Sequence, residues 1–180
     1  INSEDAGFAP FAEEYGVKFY QRPTDLGNSV ATSEQFVYDF LKKVDCDVLL
    51  QVHSIAPLLT AGEVADFTRS FLGSDHDVML ACIEDKIEVA YQDQPVNFSF
   101  SEKTNSQGLI PTQRITWSIT GFRAKSYITA VDAGRIGTYN GSIGFYPVSP
   151  VSGHVIKTQQ DLDIAEALMG VLGKDYGASE

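Results

Sequence analysis

His-Val-Ile-Lys-Thr-Gln-Gln-Asp-Leu-Asp-Ile-Ala-Glu-Ala-Leu-Met, residues 154–169, reads as a short strand that runs straight into a helix. The apolar run His154 to Ile156 leads to Thr158, whose hydroxyl can cap a helix end. Asp161, three residues on, falls in the first turn, where a carboxylate is favoured by the positive end of the backbone dipole. The same strand–helix alternation extends back through the start of the chain.

Thr32 with Gln35 forms a capping-box pattern for a helix to about Val44, with Phe36, Val37, Phe40 and Leu41 inward. Thr60 with Glu63 opens another helix, through about Leu72. Cys46 to Val52 and Val78 to Ile83 are nearly continuous apolar runs, as in parallel strands covered on both faces. Before these, Ser3 precedes a helix whose Phe8, Phe11, Ala12 and Tyr15 share a face, with Pro10 near its first turn and Gly16 at its end. Val17 to Tyr20 follows as a short strand. Helices and strands at crossover spacing predict an α/β fold with a mostly parallel sheet. Between about 86 and 122 the pattern changes to an antiparallel excursion with a turn at Asp93-Gln94-Pro95. It ends in a strand from Ile115 to Phe122. A helix near Ala124 to Val131 and a strand from Ile143 to Val148 complete the chain. No repeat or linker interrupts it, which predicts one domain over residues 1–180. Only Lys174 to Glu180 has the composition of a disordered tail.

At 180 residues and 43% hydrophobic, the chain can bury one sizeable core. A net charge of −11 argues against a nucleic-acid polymer or an anionic membrane as partner. No apolar run reaches the roughly 20 residues needed to span a bilayer. Cys46 and Cys82 lack metal-type spacing and read as reduced core residues, which points to a cytoplasmic setting.

Two segments carry the chemistry. Arg22-Pro23-Thr24-Asp25-Leu26-Gly27-Asn28-Ser29-Val30-Ala31-Thr32-Ser33 is a polar loop ending at a helix start. It is either a plain connection with a solvated arginine or a ligand edge. Leu49-Leu50-Gln51-Val52-His53-Ser54-Ile55-Ala56-Pro57-Leu58 places Gln51 at the carboxyl end of a buried strand, a common ligand edge in α/β sheets. His53 is a structural histidine or a site residue, and no nucleophile or acid pairs with it. Trp117, Phe98 and Phe100 belong to the core or to an interface. Gly134, Gly137, Gly141 and Gly144 read as turn glycines, and no glycine-rich phosphate loop is found.

These segments together resemble the acylneuraminate (CMP-sialic acid) cytidylyltransferase family. Thr158, Asp161, Leu162, Ala165 and Glu166 fit its closing motif, Asp-Ile-Asp-Thr-x-x-Asp-Leu-x-x-Ala-Glu. Arg22, Ala31 and Ser33 fall on its cytosine-binding positions, whereas Ser29 stands where the family has Asp. Leu-Leu-Gln is retained at Gln51, a sugar-contacting position, but Ile55 and Ala56 replace a Thr-Ser pair. Gln107, Leu109 and Pro111 persist from a further motif, in which Asn105, Gly108 and Ile110 replace charged residues.

The resemblance implies a three-layer Rossmann-like nucleotidyltransferase fold, CTP and a sialic-type sugar acid as ligands, and a homodimer built on the excursion. It implies CMP transfer with release of pyrophosphate. A catalytically inactive nucleotide- or sugar-binding relative is the alternative, and no catalytic residue is assigned. The family's Mg²⁺ is held by two aspartates one residue apart, a pattern suited to a hard cation. Those positions here are Val155 and Lys157. The family's founding strand and phosphate loop are expected upstream of Ile1.

Overall fold

The computed structural model describes residues 1–172. In chain order the strands are β1 (Asn2–Ser3), β2 (Tyr20–Gln21), β3 (Val48–Val52), β4 (Val78–Asp85), β5 (Ala90–Tyr91), β6 (Gln94–Pro95), β7 (Thr112–Arg123) and β8 (Ile143–Pro147). The α-helices are α1 (Ala9–Glu14), α2 (Ser33–Lys43), α3 (Ala61–Leu72), α4 (Ala124–Asp132) and α5 (Gln159–Leu172). They fall into two compact units, Ile1–Leu49 with Arg123–Asn140, and Leu50–Phe122 with the residues from Gly141 onward. The tail Lys174 to Glu180 lies outside the described residues.

In the first unit, β1 runs parallel to β2, with Asn2 opposite Tyr20 and Ser3 opposite Gln21. The strand expected over Val17 to Tyr20 is therefore shorter and later. Ser3 belongs to β1, and Asp5 caps the following 3-10 turn by accepting from the Gly7 N–H at 2.8 Å. Pro10 sits at the start of α1, where its missing N–H leaves no donor gap. The helix has only six residues and buries Ala12 alone. Phe8, Phe11 and Tyr15 are 46%, 52% and 73% exposed, so the expected aromatic core face is absent.

Helix α2 has the expected capping box, Thr32 with Gln35, and buries Val37 and Leu41. Helix α4 buries Ala124, Tyr127 and Ala130. A Cβ at Gly137 would come within 2.9 Å of the Tyr127 ring, so glycine is required there. Glu34, in the first turn of α2, fastens that helix to the segment after α4. Its carboxylate accepts from the Gly137 N–H at 2.7 Å, the Thr138 N–H at 3.1 Å and the Thr138 hydroxyl at 2.6 Å.

The second unit is built on a four-stranded sheet in the order β3-β7-β4-β8. Strand β4 is parallel to β8 but antiparallel to β7. The sheet is thus mixed rather than mostly parallel, because the excursion after β4 turns the chain back before β7. Pairing from Asp85↔Thr112 to Val78↔Phe122 puts residues 112–122 in the sheet, so the excursion is shorter than 86–122. All six residues from Val78 to Ile83 are buried. Alternate side chains of a strand face opposite ways, so both faces of β4 are covered.

Phe67 and Phe71 of α3 are fully buried, and the Phe71 ring occupies the space a side chain at Gly121 would need. Trp117 has φ 57°, and the β4–β7 register shifts between Leu80 and Cys82. This is a bulge in β7, carried by a residue that ordinarily avoids the left-handed region. The hairpin turn falls at Gln92 and Asp93, both at positive φ, one residue earlier than expected. His154 to Ile156 forms no strand; the Ile156 N–H donates to the Ile55 carbonyl at 2.8 Å and the His154 N–H to the Val151 carbonyl at 3.0 Å.

Glu63 repeats in α3 what Glu34 does in α2. It completes the capping box with Thr60 and accepts from the Ser149 N–H at 3.2 Å and from the Ser152 hydroxyl. Burial alone would raise both carboxyls. The hydrogen bonds from Thr138, Gly137 and Tyr127 to Glu34, and from Ser152, Thr60 and Ser149 to Glu63, outweigh it and hold both below the ordinary glutamate value. A depressed folded value means the unfolded chain binds protons first. The stabilisation is therefore complete above the ordinary glutamate range and is lost as pH falls through the folded values. Glu63→Ala and Glu34→Ala should each cost about 1–3 kcal/mol at pH 7, the usual cost of stranding buried donors. Urea titrations at pH 7 and pH 4 check this, and the variants should lose less than the wild type on acidification.

Candidate functional site

The loop from Arg22 to Ser33 lies in the first unit, and its shape is set by one side chain the sequence reading passed over. Asn28 donates to the Asp25 carbonyl at 2.8 Å, and its Oδ1 accepts from the Val30 and Ala31 N–H groups at 2.8 and 2.9 Å. Such Asn-to-backbone closure is a usual reason for asparagine in turns, and that preference was the available signal. Ala31 therefore has its N–H committed within the loop. Ser33 is the first residue of α2 and is exposed.

Arg22 is not the solvated arginine of a plain connection. Its side chain is 14% exposed, its Cζ lies 4.6 Å from the centre of the Phe36 ring, and its Nη2 donates to the Glu4 carboxylate. Phe36 is three residues beyond Ser33 on α2, so the guanidinium packs on the helix that Ser33 opens. The Arg22 Nε–H is buried and has no partner. Arg22, Ala31 and Ser33 thus belong to one loop-and-helix edge. A hollow of about 410 Å³ nearby is walled by Pro23, Asp25, Gln35, Tyr38 and Asp39, without those three residues.

In the second unit, Gln51 is half-buried near the end of β3. The His53 N–H donates to the Ser118 carbonyl at 3.0 Å, and the His53 carbonyl accepts from the Ala56 N–H at 3.1 Å. Its ring Nε2 is buried without a partner. Burial, and then the charge of Lys157, depress the imidazole's proton affinity, so it is neutral at pH 7. Gln107 stands apart, exposed on a 3-10 turn of the excursion. Beside that turn a second hollow, of about 570 Å³, is lined by Lys86, Lys103, Thr104, Asn105 and Ser106 among others. Asn97 fastens the excursion by donating to the Ile87 and Ile110 carbonyls at 2.7 and 3.1 Å.

The residues before α5 do not make a metal site. Val155 offers no donor atom and Lys157 offers a cation. The Asp161 carboxylate accepts from the Lys157 N–H at 3.0 Å, the Thr158 N–H at 2.8 Å and the Thr158 hydroxyl at 2.9 Å. The Asp161 N–H returns a bond to Thr158 Oγ1 at 3.2 Å. The Thr158 hydroxyl and these N–H groups hold the exposed carboxyl below its ordinary range. No group of three or more His, Cys, Asp or Glu side chains is arranged to hold a metal among the described residues. A hard cation with an oxygen-ligand requirement does not fit this donor set.

Cys46 is half-buried and Cys82 buried, both as free thiols. Among the described residues no helix is long and apolar enough to cross a membrane.

Neither a comparison with protein-family models nor one with curated proteins finds a match. Solved structures do match. The 4-diphosphocytidyl-2C-methyl-D-erythritol synthase of Anaerococcus prevotii aligns over 93% of this chain and 77% of its own, with TM-score 0.63 and 13% identity. A CMP:2-keto-3-deoxy-manno-octonic acid synthetase complexed with CTP aligns over 94% and 79%, with TM-score 0.63 and 14% identity. The 2-C-methyl-D-erythritol 4-phosphate cytidylyltransferase of Thermus thermophilus aligns over 86% and 74%, with TM-score 0.52 and 15% identity. At this identity the likeness establishes the fold, an α/β fold with a mixed sheet that the chain shares with these cytidylyltransferases.

Proposed function

We propose that the chain is a cytidylyltransferase-like protein that binds CTP and transfers CMP to a nonulosonic, sialic-type sugar acid. The observation that supports this reading is the fold shared with a synthetase complexed with CTP, together with Arg22 packed against α2 beside Ser33. In the proposed layout, residues 1–180 form one three-layer Rossmann-like domain. Arg22, Ala31 and Ser33 hold the cytosine end, while the carboxamides of Gln51 and Gln107 orient the sugar acid.

In the transfer, the anomeric hydroxyl oxygen of the sugar acid bonds to the α-phosphorus. The bond from that phosphorus to the bridging oxygen breaks, pyrophosphate leaves with the electron pair, and the hydroxyl proton passes to solvent. The protein's part is to hold nucleotide and sugar acid in line, which converts a collision into a local event. No step is routed through Mg²⁺, because Val155, Lys157 and the committed Asp161 do not fit it. The same observation favours a second reading, a relative that binds nucleotide or sugar without turnover. Two free thiols accord with a cytoplasmic protein.

The proposed partner for the excursion is a second copy of the chain. Ile87, Tyr91, Val96, Phe100 and Ile110 are 62%, 69%, 56%, 72% and 78% exposed on it, an apolar concentration suited to an interface.

Calorimetry should detect CTP binding that Arg22→Ala weakens by about 10–100-fold, as expected for a hydrogen bond from a charged donor. Unchanged affinity removes this base pocket. Pyrophosphate release on adding a sialic acid separates the enzyme from the binding relative. Mg²⁺ added alone should leave the thermal midpoint where a chelator leaves it, and a rise on adding the ion contradicts the donor-set argument. Phe100→Glu with Ile110→Glu should shift the sedimentation coefficient from dimer to monomer, and a wild type that sediments as a monomer removes the interface.

A further inference from the structure

The stretch from His154 to Lys157 runs between two fastened ends. Upstream, the Ser152 hydroxyl donates to the Glu63 carboxylate, and the Gly153 N–H donates to the Ser149 carbonyl at 2.8 Å. Downstream, Thr158 and Asp161 cap α5 reciprocally, and His154 Nε2 lies 2.8 Å from the Asp161 carbonyl oxygen. Between these ends the stretch meets the turn that follows β3, where the Ile156 N–H donates to the Ile55 carbonyl at 2.8 Å. His53 belongs to that turn, two residues before Ile55, and its own N–H is tied to the Ser118 carbonyl of β7.

This junction offers nothing to a protonated His53. The ring Nε2 is enclosed and no protein atom bonds it. A neutral imidazole can carry its proton on Nδ1 and leave only a lone pair at Nε2, whereas an imidazolium bears a proton on both nitrogens. Protonation in the closed junction therefore strands a charged donor. The surrounding groups do not compensate it. Lys157 adds a second positive charge that is felt at the ring. The Asp161 carboxylate, the nearest anion along the stretch, already accepts from the Lys157 and Thr158 N–H groups and the Thr158 hydroxyl. On β7 the neighbours Thr116 and Ser118 are neutral, with their hydroxyls bonded to each other at 2.9 Å.

We propose that the contact between residues 154–157 and the turn 53–56 is a pH-operated latch, closed while His53 is neutral and released when the ring takes up a proton. Release admits water to Nε2 and lets Lys157 move away. The released form binds the proton at the ordinary histidine value, and the closed form only below it, because burial and then Lys157 disfavour the charged ring. Closure is thus complete above the ordinary value and weakens as pH falls through the window beneath it. Glu63 does not share that window, since its hold on Ser149 and Ser152 is lost only below the ordinary glutamate range. What the latch frees is the entry to α5, beside the end of β3.

The experiment is amide hydrogen exchange of the full chain at pH 7.5 and 5.5, corrected for intrinsic rates, with an NMR titration of the His53 ring. Opening at the Ile156 amide should rise by up to about tenfold between the two conditions, the limit set by one proton with an ordinary value near 6.5. The amides of buried β4 should keep their protection, as expected of local rather than global opening. His53→Gln, which cannot titrate, should abolish the rise, and Lys157→Met should move the ring's titration upward and shrink it. The proposal is overturned if Ile156 opening changes by less than about twofold, if the ring titrates at the ordinary histidine value, or if the β4 amides open in step with Ile156. A response that survives in His53→Gln also overturns it. The first three results come from the wild type, so a variant that fails to fold does not shield the proposal.

Discussion

Glu34 and Glu63 stand in the first turns of α2 and α3, where the helix end favours a carboxylate, and each directs its oxygens to a segment far along the chain. The Gly137 N–H that Glu34 binds is 103 residues away, and the Ser152 hydroxyl that Glu63 binds is 89 residues away. Each bond closes its unit on itself. Without Glu34, α2 would lose its hydrogen bonds to Gly137 and Thr138. Without Glu63, the turn before α5 would lose its tie to α3. A charged acceptor serving several donors is directional as well as strong, which apolar contact is not.

That constraint passes directly to the candidate site. Ser33 precedes Glu34 and Phe36 follows it, so the clamp that fixes α2 also fixes the surface on which Arg22 lies. Arg22 is then gripped from the other edge by Glu4. An arginine held this way, in a chain of net charge −11, is a local exception to an acidic surface. In the second unit Lys157 plays a comparable part, because its charge is felt at His53 and helps keep that imidazole neutral. Neither feature creates a metal site.

Much of the fold was legible because it depends on local rules. Thr32 with Gln35, Thr60 with Glu63 and Thr158 with Asp161 all cap the helices they were expected to cap. The apolar run from Val78 to Ile83 is buried on both faces, as its continuity required. The errors came where distant pairing decides. The direction of β7 follows from the excursion that precedes it, and nothing in the Ile115 to Phe122 pattern records direction. The left-handed Trp117 is likewise fixed by the neighbouring strand. Phe8, Phe11 and Tyr15 have helical spacing, but spacing alone does not supply a surface to pack against. At the site, the sequence marked Arg22 and Ser33 but missed Glu4 and Asn28, whose roles exist only once β1 lies beside β2 and the loop is closed.

Whether the Arg22–Ser33 edge meets a cytidine nucleotide decides the functional reading. Backbone amide NMR during a CTP titration addresses that directly, because each amide reports its own surroundings. Saturable shifts at Arg22, Ala31 and Ser33, all following one dissociation constant, are expected. Shifts confined to the hollow lined by Lys86, Lys103 and Ser106, or a spectrum that CTP leaves unchanged, would contradict the account.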